Sequence, residues 1–290
     1  MKQHPFFDKH TVLGTIALIL WAYFIVMIPA SFAVGIFCLF VHAGDPMEYI
    51  CFGVIPMALV ALLIHRIWFS PAFKGILFRG LWRALRCCPV ILIYWLALCL
   101  PDFLNGNFPQ TFNLKVISIA VTAGFSEEVI FRGLPLSYLK RQLRAEKQVP
   151  LIVFITGVVF GLTHITNILM GASVSASFVQ GLNATCIGIF FGAVFMRSGN
   201  IFVPMLLHTL HDMLLLSFQE ADEVSAILTE DASLSDVSTS LLCAALAAFG
   251  FFLIRKSRRG EICKMWSETW SQTTESLPVS PAEPENAMEV

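Results

Sequence analysis

The sequence predicts an all-α fold, a polytopic membrane helix bundle with about eight transmembrane helices. Hydrophobic residues make up 57% of the 290 residues and charged residues only 13%, whereas a soluble domain is about one-quarter charged. The mean hydropathy is +0.74, and long uncharged stretches alternate with short polar breaks. This pattern is typical of a membrane protein. The net charge of −1 argues against binding to nucleic acid.

The transmembrane helices are predicted from apolar stretches that can cross about 30 Å of hydrocarbon, which takes roughly 20 helical residues. The stretches are Val12–Val41, Tyr49–Ile67, Pro89–Phe103, Phe112–Leu139, Leu151–Ile165, Phe178–Met196, Ile201–Phe218 and Thr239–Ile254. The third and the fifth are short, and the first is overlong and contains Pro29. We number these predicted helices one to eight in chain order.

The lysines and arginines of the connecting segments predict the orientation. They occur after helices two, four, six and eight, while the other connections contain none, and the connection after helix seven is acidic. Because positive residues mark the cytoplasmic side, both termini are expected to be cytoplasmic. The expected location is the plasma membrane.

The chain divides into four predicted parts. These are residues 1–110 with helices one to three and a cytoplasmic basic loop at 66–88, residues 111–218 with helices four to seven, residues 219–254 with an acidic outer loop and helix eight, and a cytoplasmic tail at 255–290. The composition of the tail predicts disorder from about residue 273. Before it, Ile262, Trp266 and Trp270 recur every four residues, which favours a short helix on the membrane surface.

Ionisable residues inside the predicted helices are few and indicate a functional site, because a charge at mid-bilayer costs at least about 2.5–3.5 kcal/mol. Away from the helix ends, they are Glu127, Glu128 and Arg132 in helix four, His164 in helix five, and His208, His211 and Asp212 in helix seven. Counted at about 1.5 Å per residue, Glu127, His164 and Asp212 lie at similar depths, roughly 18 to 21 Å from the cytoplasmic ends. We therefore predict one polar pocket that the three helices share.

The two adjacent glutamates of helix four are predicted to differ in role. Glu128 and Arg132 are four residues apart on one helical face, where they can form a buried ion pair. Glu127 is turned about 100° away and has no partner on its own helix. This asymmetry predicts a structural Glu128–Arg132 pair and a free Glu127 carboxylate that can act as a general base.

The same residues carry a resemblance to the CAAX-protease and bacteriocin-processing family of intramembrane endopeptidases. Its three motifs are E-E-x-x-x-R, F-x-x-x-H and H-x-x-x-N or D. They are matched by Glu127-Glu128-Val129-Ile130-Phe131-Arg132, by Phe160 with His164, and by His208 with Asp212. The resemblance covers about residues 115–218, and the three motifs together, in order and on the expected helices, are specific.

The resemblance implies hydrolysis of a peptide bond in a membrane-associated substrate, which is a CAAX-type tail, a leader peptide or another lipid-proximal segment. It implies that Glu127 activates the attacking water with help from His164, and that His208 and residue 212 stabilise the oxyanion. Glu128 and Arg132 would hold the geometry. The implied partners are the protein or peptide substrate and the lipid bilayer, and no cofactor is expected.

Several alternatives stay open at this point. Asp212 stands where prenyl-protein proteases of the family tend to have asparagine, and an ionised aspartate cannot donate to an oxyanion. Asp212 is therefore protonated, or orients His208 or His211, or binds a metal. A zinc site made by Glu127, His164 and His208 is the metal alternative. Outside proteolysis, an immunity or scaffold protein and a proton-relaying transporter are the competing classes.

Overall fold

The computed structural model describes residues 9–42, 44–69, 80–219 and 230–271, and within these ranges no β-strand occurs. The α-helices are α1 Thr11–Val41, α2 Ile50–Phe69, α3 Leu81–Leu85, α4 Pro89–Leu104, α5 Leu114–Thr122, α6 Leu134–Gln142, α7 Val149–Ile165, α8 Val174–Ser198, α9 Phe202–Ser217, α10 Leu234–Leu253 and α11 Lys256–Ser271. Short 3-10 helices cover Pro46–Glu48, Glu146–Gln148 and Thr166–Met170. The all-α prediction is confirmed.

The predicted transmembrane stretches all fall on helical segments, and the protein is an integral membrane protein. Among the described residues, four helical segments are long and apolar enough to cross a bilayer: Thr11–Val41, Glu146–Met170, Val174–Ser198 and Asp236–Leu253. Shorter apolar helices cover Ile50–Ile64, Pro89–Leu104 and Phe202–Ser217. The predicted number of eight spans stays a prediction. Parts of the predicted basic loop (70–79) and acidic loop (220–229) lie outside the described residues.

The helical segment 114–142 changes its geometry where it carries the adjacent glutamates. Between α5 and α6, Ala123–Glu127 and Val129–Gly133 are π-helical, and Glu128 lies between them. π-helical turns are rare, and they occur frequently at functional sites. The widened turns change the direction of each side chain, so the regular 100° step assumed from the sequence does not hold here. No feature of the sequence indicates these turns.

Glycines allow three helices to approach one another closely around this segment. A Cβ atom on Gly124 would lie 2.5 Å from the backbone nitrogen of Thr209 in α9. A Cβ atom on Gly188 in α8 would lie 2.6 Å from Nη2 of Arg132. Larger side chains at these two positions would therefore displace α9 or the Arg132 guanidinium.

The last helix, α11, packs against the protein. Ile262 and Trp266 are buried in the main hydrophobic core, and Trp266 Nε1 donates a hydrogen bond of 2.8 Å to the carbonyl oxygen of Met196 in α8. The prediction that Ile262 and Trp266 anchor a helix on the membrane surface was therefore wrong. The indole N–H instead pairs with a carbonyl in the last turn of α8, where such groups lack helical partners. The Trp270 side chain and the segment from residue 273, for which disorder is predicted, lie outside the described part of the chain.

Candidate active site

The segment 114–142 and helix α9 bring the candidate residues together around His208. Its Nδ1 lies 2.9 Å from Oε1 of Glu128. Its Nε2 lies 3.7 Å from Oε2 of Glu127 and 3.6 Å from Oδ2 of Asp212. His164, on α7, and His208 both pack against the ring of Phe160. The structure thus places the side chains of three helices, which the sequence predicts to share one pocket, in one cluster.

Glu128 is the central anchor of this cluster. Its Oε1 lies 2.8 Å from Nη1 of Arg132, and both side chains are 0% exposed, so the predicted ion pair forms. The same oxygen faces His208 Nδ1, which donates to it because an ionised carboxylate can only accept. Sequence reasoning missed this second bond. Glu128 therefore holds Arg132 and orients the imidazole of His208 at the same time.

The two adjacent glutamates differ in accessibility. The side chain of Glu127 is 30% exposed, whereas that of Glu128 is fully buried. Asp212 is also partly accessible, at 23%. A carboxylate that activates water must be reached by water and must hold a free lone pair. Glu127 is the more accessible of the two, whereas Glu128 is fully buried and its Oε1 already binds Arg132 and His208.

Aromatic rings enclose the histidines. His164 Nδ1 lies 3.0 Å from the carbonyl oxygen of Phe160, so its Nε2 is the nitrogen left for other partners. The Phe160 ring stands edge-on to His164 and His208, with centroid distances of 4.7 and 5.9 Å, and Arg132 lies 4.0 Å above it. Phe191 of α8, which sequence reasoning missed, packs 5.5 Å from His208. These apolar walls exclude bulk solvent and strengthen the electrostatic interactions inside the site.

His211 has different surroundings. It is buried, its ring lies 5.7 Å from the ring of Tyr94 in α4, and its Nδ1 has no hydrogen-bond partner among the described residues. Oδ2 of Asp212 lies 3.6 Å from Nε2 of His208. Of the two histidines that Asp212 was predicted to orient, the geometry therefore favours His208.

A metal-binding cluster was the alternative use of these residues. In the described part of the chain, no three His, Cys, Asp or Glu side chains are grouped so that they could hold a metal ion. The alternative zinc site of Glu127, His164 and His208 stays a prediction. Whether the reaction needs a cofactor stays a prediction.

A helix bundle in the membrane that holds an accessible glutamate beside a buried Glu–Arg pair and two histidines fits the class of intramembrane hydrolases. Residues 109–214 match the family model described as Type II CAAX prenyl endopeptidase Rce1-like. The matched segment contains every candidate residue from Glu127 to Asp212, and the resemblance stated from the sequence is confirmed. Residues 109–214 are therefore similar to this family of endopeptidases. No curated protein and no solved structure was found that matches the chain.

Proposed function

We propose that the protein hydrolyses a peptide bond of a membrane-associated protein or peptide inside the bilayer, with a water molecule activated by Glu127. One observation carries the proposal: Glu127 presents an accessible carboxylate 3.7 Å from His208 Nε2, while its neighbour Glu128 is buried and paired. Amide hydrolysis needs a base beside a water molecule and a donor aimed at the developing negative charge. Glu127 and His208 supply both.

The proposed reaction needs one proton to move twice. Glu127 takes a proton from the water, whose oxygen attacks the carbonyl carbon of the substrate. The carbonyl oxygen gains the negative charge and accepts a hydrogen bond from the Nε2–H of His208, which Glu128 holds in place through Nδ1. Glu127 then passes the proton to the departing amine as the carbon–nitrogen bond breaks. The free Nε2 of His164 binds the water or the oxyanion from the side of α7.

Asp212 has a supporting role in this proposal. In this mechanism His208 carries a proton on both ring nitrogens and is therefore positively charged. The Oδ2 of Asp212 lies 3.6 Å from His208 Nε2, so an ionised Asp212 stabilises this charge and orients the ring. We also propose the topology read from the sequence, with eight spans and both termini cytoplasmic in the plasma membrane.

The test of the proposed function is cleavage by the purified full chain in liposomes. The probes are an internally quenched farnesylated peptide with a CAAX-type C terminus and an unprenylated peptide of the same sequence. We expect the farnesylated peptide to be cleaved, and 1,10-phenanthroline to leave the rate within about twofold, because in this proposal the Glu127 carboxylate and not a metal ion activates the attacking water. Loss of activity that added zinc restores would support the metal alternative. If neither peptide is cleaved and the liposomes instead move protons, the protein is a transporter.

Asp212→Asn and Asp212→Ala test whether residue 212 touches the substrate. If Asp212 acts through His208, both variants should lower kcat about tenfold and leave KM unchanged, which is less than the 10²–10³-fold cost of removing a direct oxyanion donor. Steady-state kinetics with the farnesylated peptide measures both constants. Wild-type kcat in Asp212→Asn, with a low kcat in Asp212→Ala, would instead show that residue 212 itself donates to the oxyanion.

A further inference from the structure

Two amide side chains pair between the turn after α7 and helix α8, and a third amide lies one helical turn away on α8. Asn167 Nδ2 donates a hydrogen bond of 2.9 Å to Oε1 of Gln180 in α8. Asn183 lies one helical turn along from Gln180, and its buried Oδ1 has no hydrogen-bond partner within the described residues. A buried polar atom without a partner is unfavourable, and more so where lipid excludes water. The Oδ1 of Asn183 is therefore an acceptor that the described protein groups do not use.

The first of these amides lies next to His164. Asn167 follows His164 by three residues and belongs to the 3-10 turn Thr166–Met170 that continues α7. Side chains three residues apart in such a turn lie above one another, roughly 5 Å apart along the axis. Asn167 therefore extends the same face of α7 that carries His164, beyond its Ile165 end.

The second amide lies on the face of α8 that forms the wall of the site. Gln180, Ala184, Ile187 and Phe191 follow one another at intervals of four, three and four residues, which places them on one side of a helix. Phe191 packs against His208. The face that ends at Gln180 is thus continuous with the wall behind His208, roughly 16 Å along the helix.

We propose that Asn167, Gln180 and Asn183 bind the main chain of the peptide substrate and so place its scissile bond between Glu127 and His208. This rests on the proposed function. An extended peptide carries one N–H donor and one C=O acceptor per residue, and lipid can satisfy neither. Each amide side chain offers both complementary groups, and its recognition does not depend on the substrate's side chains. The two helices also meet closely at Gly157 and Gly161, so the contact between α7 and α8 does not rest on the amides alone.

The experiment combines protein variants with backbone-modified peptides. Asn167→Leu/Gln180→Leu replaces both partners of one hydrogen bond and leaves neither unpaired, and Asn183→Leu removes the unpartnered oxygen. With the farnesylated peptide we expect KM to rise about tenfold and kcat to stay within about twofold, which is the scale of one lost hydrogen bond. N-methylation of the peptide at the contacted bond should weaken binding to the wild type about tenfold. On the variants, the methylated and unmethylated peptides should bind equally well.

Equilibrium binding in a Glu127→Gln background separates this proposal from the proposed function, because it needs no turnover. Fluorescence anisotropy with a labelled farnesylated peptide should show about tenfold weaker binding when the amides are replaced. Asn107→Ala, in the exposed connection between α4 and α5, is the matched control and should bind like Glu127→Gln alone. Unchanged binding, no detectable binding, or an N-methyl penalty that persists in the variants each overturns the proposal. A lower melting temperature combined with a fall in kcat would assign the amides to helix packing and overturn it as well.

Discussion

Glu127→Gln should abolish peptide cleavage and leave the protein folded. Glutamine keeps the shape of the side chain but cannot take a proton from water, and loss of a general base lowers kcat by about 10³-fold. Because the Glu127 side chain is 30% exposed and lies 3.7 Å from its nearest ionic partner, His208, its charge contributes little to the fold. The measurements are kcat/KM with the farnesylated peptide and the melting temperature in detergent.

The control for this prediction is Glu146→Gln, an exposed glutamate in the short 3-10 helix before α7. It should keep both the activity and the melting temperature of the wild type. Glu127→Asp should recover part of the activity, since the carboxylate is kept but withdrawn by one methylene. Glu127→Gln with wild-type kcat would rule out Glu127 as the base, whatever its effect on stability.

Arg132→Met should destabilise the protein more than any other single change in the site. It would leave the Glu128 carboxylate fully buried without its cation, and breaking a buried ion pair in this way costs about 3–5 kcal/mol. For a chain of this size we expect the melting temperature to fall by about 10 °C. Glu128→Gln should also destabilise, because Arg132 and His208 both lose their ionised partner.

The double variant Glu128→Leu/Arg132→Met distinguishes charge imbalance from loss of packing. Replacing both members of a buried pair with apolar groups is often neutral, so much of the stability should return. Activity should not return, because His208 Nδ1 loses the acceptor that orients it. Arg144→Met, at an exposed arginine after α6, serves as the control. Equal melting temperatures for Arg132→Met and the control would show that the buried pair does not support the fold.

Much of the fold could be predicted because the insertion of a helix into the bilayer depends on the hydrophobicity of its own residues. A helix such as α7 was expected at Leu151–Ile165 and begins only two residues earlier, at Val149. The predicted Glu128–Arg132 pair was inferred from a spacing of four residues within one helix, and it forms although Val129–Gly133 is π-helical. Features that depend on the hydrophobic composition of a segment, or on spacing within one helix, can be predicted from the sequence.

Contacts between helices could not be predicted in the same way. The shared oxygen of Glu128, which binds Arg132 and His208, depends on how α9 is rotated against the segment 114–142. The burial of Trp266 was missed because a tryptophan near a basic cluster suits a lipid surface and a protein surface equally well. The contact of Phe191 with His208 could not be predicted, because nothing in the sequence distinguishes Phe191 from the apolar residues around it.

The sequence by itself determined that this protein is a helical membrane bundle and which ionisable residues lie inside it, because hydrophobic length and the cost of buried charge act along the chain. Only the tertiary structure decided that Glu127 is accessible beside His208 while Glu128 is buried. That distinction depends on two π-helical turns and on glycines that let α8 and α9 approach. Both are products of packing in three dimensions, where small rotations of a helix decide which side chains meet.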